Sequence, residues 1–315
     1  FNKEEKTNEF KFQLSENVLA ELASLPDKHL LKYLVHRYRY EIFPQKKILD
    51  DFPPCLQIEP SSICNFRCVF CFETDKSFTN KKSGHMGRMS LDLFKKIVDQ
   101  AEGNVEFITL ASRGEPLACK EIIPMLKYTK GKFLNLKLNT NASMLDEKTC
   151  HAILSDSVKT IVFSADAAEE PLYSQLRVRG KLDRVLKNIE RFQKIRETEY
   201  SNVPLITRVS GVLVDGAQNM EGMKRLWGSF VDQISFVKYN PWENVYESPL
   251  SEVIEPCSDL WRRMFVWFDG KVNPCDTDYK SDLLAGNMNE GTLSDIWKGE
   301  RYTQLSSATI APTEP

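Results

Sequence analysis

Between residues 55 and 239, six short runs of strand-forming residues alternate with longer amphipathic segments, and this beat restricts the fold more than any other feature. The runs are 55–59, 105–111, 134–139, 160–165, 205–213 and 233–239. Helical spacing of apolar residues fills 90–101, 120–129, 146–154, 181–197 and 219–230. Parallel neighbours need a crossover rather than a tight turn, so this rhythm predicts an α/β fold with a parallel sheet. The sheet either wraps towards a barrel or stays open and doubly wound. In both cases ligands gather at the C-terminal ends of the strands.

The flanks behave differently. Residues 1–50 are polar and helix-prone, and the apolar spacing over 14–40 predicts two short helices broken near Pro26, read as a packing extension. After about residue 245, Pro241, Pro249 and Pro256 mark a connection. Residues 264–268 and 271–272 then read as a β-hairpin, because Asp269-Gly270 supplies the positive φ angles of a tight turn. A short helix is expected over 293–299. The expected organisation is a helical extension at 1–50, the main α/β domain at 51–245 and a small domain at 246–315. Because residue 1 is Phe, the chain is expected to be a piece of a longer product, with the last domain incomplete at its C-terminus.

The 315 residues carry a formal net charge of −2 with both signs mixed along the chain, which disfavours a general binder of nucleic acid or anionic membrane. No apolar run approaches the roughly 20 residues of a membrane span, and no secretion signal is visible. There are eight cysteines, three of them within eight residues. Without a secretion signal, clustered cysteines read as metal ligands rather than disulfides, and the expected compartment is reducing and cytoplasmic.

Those three are Cys64, Cys68 and Cys71, in a compact loop directly after the first predicted strand. Three thiolates can hold three irons of one cubane and leave the fourth iron open to an outside ligand, whereas clusters ordinarily take four cysteines. A zinc site with a remote fourth ligand is the alternative; the spacing is uncommon for zinc, and His85 is the one histidine nearby.

The segment Cys64-Asn65-Phe66-Arg67-Cys68-Val69-Phe70-Cys71 resembles the radical S-adenosylmethionine (SAM) superfamily, whose signature is Cys-x-x-x-Cys-x-aromatic-Cys with Phe70 in the aromatic slot. The resemblance implies a partial (β/α)6 barrel with a [4Fe–4S] cluster whose open iron binds SAM. One electron then cleaves SAM to methionine and a 5′-deoxyadenosyl radical that abstracts a substrate hydrogen, the cofactor carrying the hard chemistry. It also implies a flavodoxin- or ferredoxin-like electron donor. Three further segments agree with the family. Ser112-Arg113-Gly114-Glu115-Pro116 resembles its Gly-Glu-Pro element, implying that Gly114 and Glu115 border the SAM ammonium; Arg113 stands where many relatives have glycine. Asn139-Thr140-Asn141 is similar to its Thr-Asn-Gly element, with Ala142 replacing the glycine. Ser164-Ala165-Asp166-Ala167, with Tyr173 and Arg177 downstream, resembles its Ser-x-Asp-Ala element, implying SAM contacts at Ser164, Asp166 and Arg177. Arg177 is the first choice for the SAM carboxylate, by bidentate match, and Arg179 the second. Residues 208–212 and 238–240 are expected at the mouth of the site.

Cys257, the hairpin, Cys275, Gly286-Asn287-Met288 and Leu293-Ser294-Asp295-Ile296-Trp297 resemble a SPASM or twitch domain, a β-hairpin plus helix extension that begins the cage of an auxiliary [4Fe–4S] cluster. Two cysteines do not complete a cage, and the resemblance implies a further cysteine pair beyond Pro315. Cys55, Cys119 and Cys150 read as core thiols. The implied function is an oxidoreductase or epimerase acting on a carbohydrate-like small molecule. The alternatives are modification of a ribosomal precursor peptide or a protein side chain, and, last, an iron–sulfur protein without catalysis.

Overall fold

The computed structural model describes residues 15–155, 158–214, 216, 218–239, 245–246 and 257–308. The connection expected at Pro241, Pro249 and Pro256 lies outside them. All six predicted strands form: β1 Cys55–Ile58, β2 Phe107–Leu110, β3 Asn135–Thr140, β4 Thr160–Ser164, β5 Ile206–Leu213 and β6 Gln233–Lys238. Each is parallel to the next. The crossover helices are also where periodicity placed them. With α1 Glu16–Ser24 and α2 Leu30–Lys46 preceding, they are α3 Leu91–Ala101, α4 Ile122–Tyr128, α5 Glu147–Leu154, α6 Leu182–Glu199 and α7 Met220–Gly228. Side-chain caps start three of them: Ser90 accepts from Leu93 N, Asp146 from Thr149 N and Asn219 from Gly222 N.

Successive strand residues point to opposite faces, and here the two faces have opposite character. Leu56, Ile58, Ile108, Leu110, Leu136, Leu138, Ile161, Phe163 and Val209 are buried in one apolar cluster with Phe94 of α3, Met125 of α4, Ile153 of α5, Phe192 of α6 and Trp227 of α7. The register puts Gln57, Thr109 and Lys137 on the other face, then Asn139 beside Val162, Ser164 beside Ser210, and Arg208 beside Gln233. A parallel sheet covered on both faces reads as continuous apolar runs. This one instead carries many polar side chains on its inner face.

The C-terminal strands bring a finding that the sequence did not announce. They are β7 Arg263–Val266, β8 Lys271–Asn273 and β9 Gly286–Asn287. β7 pairs in parallel with the free edge of β1, from Cys55 opposite Arg263 to Ile58 opposite Val266, and the sheet runs β9-β8-β7-β1-β2-β3-β4-β5-β6. The hairpin is thus continuous with the barrel sheet. Its turn also departs from the expected two-residue type. Gly270 alone takes positive φ, at 89°, and its N–H donates to Trp267 O at 2.9 Å. A β-turn closed by a left-handed glycine is the three-residue hairpin solution. Helices α8 Leu293–Trp297 and α9 Glu300–Ala308 follow. Tyr302 of α9 donates to the Arg263 carbonyl at 2.9 Å.

The break near Pro26 is a 3₁₀ turn at Asp27–His29, and α2 runs past the predicted end. Both N-terminal helices close the N-terminal mouth of the barrel. His36 stacks on Phe107, with centroids 3.8 Å apart and planes at 2°, and Arg263 Nη2 donates to Tyr40 Oη at 2.7 Å. Among the described residues no helix is long and apolar enough to cross a membrane.

Candidate active site

At the opposite mouth, the C-terminal ends of β1 to β4 bring the predicted segments together around the cysteine loop. A two-residue antiparallel ladder fixes the loop, with Cys68 opposite Arg177 and Arg67 opposite Val178. Arg67 braces it from within, donating to the carbonyls of Cys64 (2.9 Å) and Phe66 (2.6 Å) and pairing with Glu73 at 3.1 Å. Burial pushes the Glu73 carboxyl up to about 7, against the pull of Arg67.

The three thiols are free. Burial raises all three above the ordinary thiol value, Cys71 to about 12, and the neighbouring thiol Cys68 adds to the rise at both Cys64 and Cys71. Polar hydrogens nevertheless face the sulfurs. Phe66 N donates to Cys64 Sγ at 3.4 Å, Asn141 Nδ2 to Cys64 Sγ at 3.9 Å, and Arg177 Nη1 to Cys68 Sγ at 3.9 Å. Among the described residues no three His, Cys, Asp or Glu side chains converge on a single-ion site. A cubane gives each thiolate its own iron, so its ligands need not converge in that way. One loop whose thiols at 64 and 71 both feel Cys68, with N–H donors facing the sulfurs of Cys64 and Cys68, fits a cubane held as thiolates.

Gly114 has a steric reason to be glycine: a Cβ there would lie 2.4 Å from Ser61 O and 2.7 Å from Ile63 N, in the backbone that leads to Cys64. Glu115 is buried and fully engaged. Thr140 Oγ1 donates to its Oε1 at 2.6 Å, Leu117 N to Oε1 at 3.1 Å and Asn141 N to Oε2 at 2.8 Å. The carboxylate ties the end of β2 to the end of β3, and burial still raises its pKa. The residue at positive φ in this turn is Ser112, at 139°, rather than Gly114. Ala142 likewise takes φ 58°, a backbone conformation that glycine adopts without steric cost.

Asp166 and Arg177 form a buried pair, Arg177 Nε lying 2.6 Å from Asp166 Oδ2, while Val212 N donates to Asp166 Oδ1 at 2.6 Å. Arg177 is thus not an idle guanidinium: one side is held by Asp166, and another nitrogen reaches Cys68. Its Cζ stands 5.9 Å from the Phe70 ring centroid. Arg179 is exposed, with φ 73°. Ser164 ends β4, half-buried. Three buried polar atoms near these strand ends, Ser112 Oγ, Asn139 Oδ1 and Tyr173 Oη, have no hydrogen-bond partner among the described residues. Buried groups of this kind call for one.

Sequence reasoning missed a second buried pair. Arg113 Nη2 and Nε each lie 2.6 Å from an oxygen of Glu59, and Arg113 Nη1 donates to Tyr279 O at 2.8 Å. The guanidinium also lies 4.3 Å from the Trp267 ring centroid. Glu59 Oε1 accepts from Phe268 N as well, so the pair fastens the Gly114 turn to the C-terminal hairpin. The one signal was an arginine where relatives carry glycine. Tyr279 in turn stacks on Phe72, just after Cys71, at 4.9 Å. Cys257 is exposed at the start of a 3₁₀ turn, and Cys275 follows β8. Burial pushes the Cys275 thiol up to about 11, with Cys257 and Asp276 adding to it.

The sequence matches the Radical SAM superfamily over residues 58–209 and the SPASM iron–sulfur cluster-binding domain over residues 257–314. Among curated proteins, the tungsten-containing aldehyde ferredoxin oxidoreductase cofactor-modifying protein of Pyrococcus furiosus is 22% identical, over 79% of this chain and 82% of its own. The S-adenosyl-L-methionine-dependent 2-deoxy-scyllo-inosamine dehydrogenase of Niallia circulans is also 22% identical, over 82% and 87%. Of solved structures, Streptococcus suis SuiB bound to precursor peptide SuiA superimposes with a TM-score of 0.64 at 18% identity, covering 88% of this chain and 72% of that one. BtrN in complex with AdoMet and 2-DOIA gives 0.56 at 16%, covering 83% and 88%. The chain belongs to the radical SAM superfamily and is an enzyme of that family with a SPASM domain. Its cofactors follow: a [4Fe–4S] cluster with SAM, and auxiliary iron–sulfur binding in the SPASM domain.

Proposed function

We propose that the enzyme oxidises a carbohydrate-like small molecule held in the barrel lumen, with Cys64, Cys68 and Cys71 as ligands of the SAM-binding cluster. When bound, the cluster and SAM supply the 5′-deoxyadenosyl radical that removes a substrate hydrogen. The protein's own residues orient and shield. Asn141, Phe66 N–H and Arg177 stabilise the thiolates of Cys64 and Cys68. Gly114 lets its turn pack against the start of the cysteine loop, Glu115 holds the Thr140-Asn141 turn, and Phe70 walls the site beside Arg177. Asn139 and Ser164 face the lumen as hydrogen-bonding groups. Arg177, positioned by Asp166, is the candidate for the SAM carboxylate. Cys257 and Cys275 begin the cage of the auxiliary cluster.

The observation that carries the substrate class is the polar inner wall, from Gln57 and Thr109 round to Ser210 and Gln233. A hydroxyl-rich molecule exchanges water for these groups at little cost, whereas an apolar one leaves them unpaired. The dehydrogenase from Niallia circulans, matched over 87% of its length, supports this reading. Removal of a hydrogen atom, a proton and an electron gives a ketone; return of a hydrogen atom to the same carbon gives an epimer. The test is anaerobic incubation of reduced, reconstituted enzyme with SAM and a panel of sugars and aminocyclitols. Substrate-stimulated 5′-deoxyadenosine with a product two mass units lighter is expected. Stimulation by a peptide alone would overturn the small-molecule reading, and wild-type enzyme that releases no 5′-deoxyadenosine would overturn the radical reading too.

A further inference from the structure

Below the cofactor site, at the N-terminal mouth of the barrel, lies a cavity of about 120 Å³. Its walls come from β1, β2, β3, β5 and β7, and α1 and α2 floor it. Four cations line it: Arg37, Lys137, Arg208 and Arg263. Among the described residues the one acidic side chain in its lining is Glu21, whose Oε2 already accepts from Tyr33 Oη at 2.8 Å. His36 adds no charge, because burial holds its pKa down to about 3.

The four cations are not equally compensated. Arg37 pairs with Glu41 one turn along α2. Arg263 donates to Tyr40 Oη at 2.7 Å and lies 3.9 Å from Asp259. Arg208 has a neutral partner, with Nε and Nη2 donating to Gln233 Oε1 at 2.9 and 2.6 Å. Lys137 Nζ makes no hydrogen bond or ion pair among the described residues. Burial, with Arg263 and Arg208 adding, lowers its pKa to about 8. Among the described residues Glu21 is the one acidic side chain facing both Lys137 and Arg208, neither of which has an ion-paired carboxylate of its own, so positive charge is in excess in this cavity and calls for an anion.

We propose that this cavity is an oxyanion site, in which Lys137 and Arg208 bind a carboxylate or phosphate group of the substrate. Guanidinium and ammonium together offer a fork and a point charge, a combination suited to either group. Lys137 stands two residues before Asn139 on the same face of β3, and Arg208 two residues before Ser210 on β5. A molecule anchored by its anionic end therefore extends up the polar wall towards Asn139 and Ser164. The inference rests on the reading that the lumen holds substrate, and it narrows that substrate to an anion.

The test is the melting temperature of the reconstituted enzyme titrated with inorganic phosphate and, separately, with acetate, against chloride at matched ionic strength. Wild-type protein is expected to show a saturable rise with at least one of the two, and which one names the group. Lys137→Met and Arg208→Gln are each expected to raise the half-saturating concentration at least tenfold. Without added anion, Lys137→Met is expected to melt no lower than wild type, since part of the excess positive charge has been removed. No saturable rise in wild type, or an unchanged response in both variants, overturns the proposal. Release of 5′-deoxyadenosine by the wild-type enzyme is scored separately, so the radical assignment stands or falls on its own result.

Discussion

Arg177 and Cys68 face each other across the two-residue ladder, with Nη1 3.9 Å from Sγ, while Asp166 holds the same guanidinium at 2.6 Å through Nε. One arginine thus links the fourth strand's end to a candidate cluster ligand. Arg177→Ala leaves Asp166 buried without its cation, at an expected cost of about 3 kcal/mol in unfolding free energy. It is also expected to weaken SAM binding by roughly 10- to 100-fold, as loss of a charge-assisted pair does. The Asp166→Asn, Arg177→Met double variant is expected to recover stability without recovering SAM affinity, read by denaturant unfolding and calorimetric titration. SAM binding at wild-type strength in Arg177→Ala would reassign the role to Arg179 or the backbone.

Ala142 carries a left-handed backbone without being glycine. That conformation costs an L-residue about 1–2 kcal/mol, of which the extra chain entropy of glycine returns roughly half. Ala142→Gly is therefore expected to stabilise the protein by about 0.5–1 kcal/mol. Urea unfolding measures it, and a lower midpoint at unchanged slope would refute the strain argument. Ala142→Val, branched and fully buried, is expected to destabilise.

These two sites show which features can be read from residues alone. The strands of the barrel were legible because each is a local pattern, and so was the cysteine loop, whose three ligands lie within eight positions. Thr140-Asn141-Ala142 was legible as a motif but not as a strained turn, since no residue type at 142 announces positive φ. The pairing of β1 with β7 was not legible at all. It joins Cys55 to Arg263 across the whole barrel, and each strand alone satisfies the same hairpin or edge pattern. The Glu59–Arg113 pair was hidden for a related reason. A charged residue ending a strand ordinarily reads as solvated, and only the arrival of Tyr279, Trp267 and Phe268 buries it.

His36 gives the stability a pH dependence of known sign. Burial lowers its folded-state pKa from 6.5 to about 3, so the unfolded chain takes up the proton first as pH falls. The stability from a neutral, stacked His36 is complete above pH 6.5 and drains away between 6.5 and about 3. His36→Phe keeps a ring on Phe107 and removes the titration. The variant is expected to gain on wild type by about 1.4 kcal/mol between pH 7.5 and 5.5. Parallel pH profiles for the two proteins would mean that His36 is protonated or solvated in the folded state.

The C-terminal thiols are tested by iron. Replacing both Cys257 and Cys275 by Ala is expected to lower the iron content of reconstituted protein while leaving about four irons per chain, one cubane, at the Cys64 loop. Unchanged iron in the double variant would return the two residues to the class of ordinary thiols. Replacing Cys68 by Ala is expected to do the converse, removing the barrel's iron and all 5′-deoxyadenosine formation, with the SPASM iron retained.

The ladder between β1 and β7 has a mechanical consequence. β1 leads into Glu59 and the Cys64 loop, and β7 leads through its turn and β8 to Cys275. β8 lies one strand beyond β7 and runs antiparallel to it, so the Cys64 loop and Cys275 leave opposite ends of one continuous sheet. A domain rotation that changed their separation would have to peel a parallel strand off the barrel. The spacing between the Cys64 loop and Cys275 is therefore set by strand pairing within one sheet rather than by a linker between two domains.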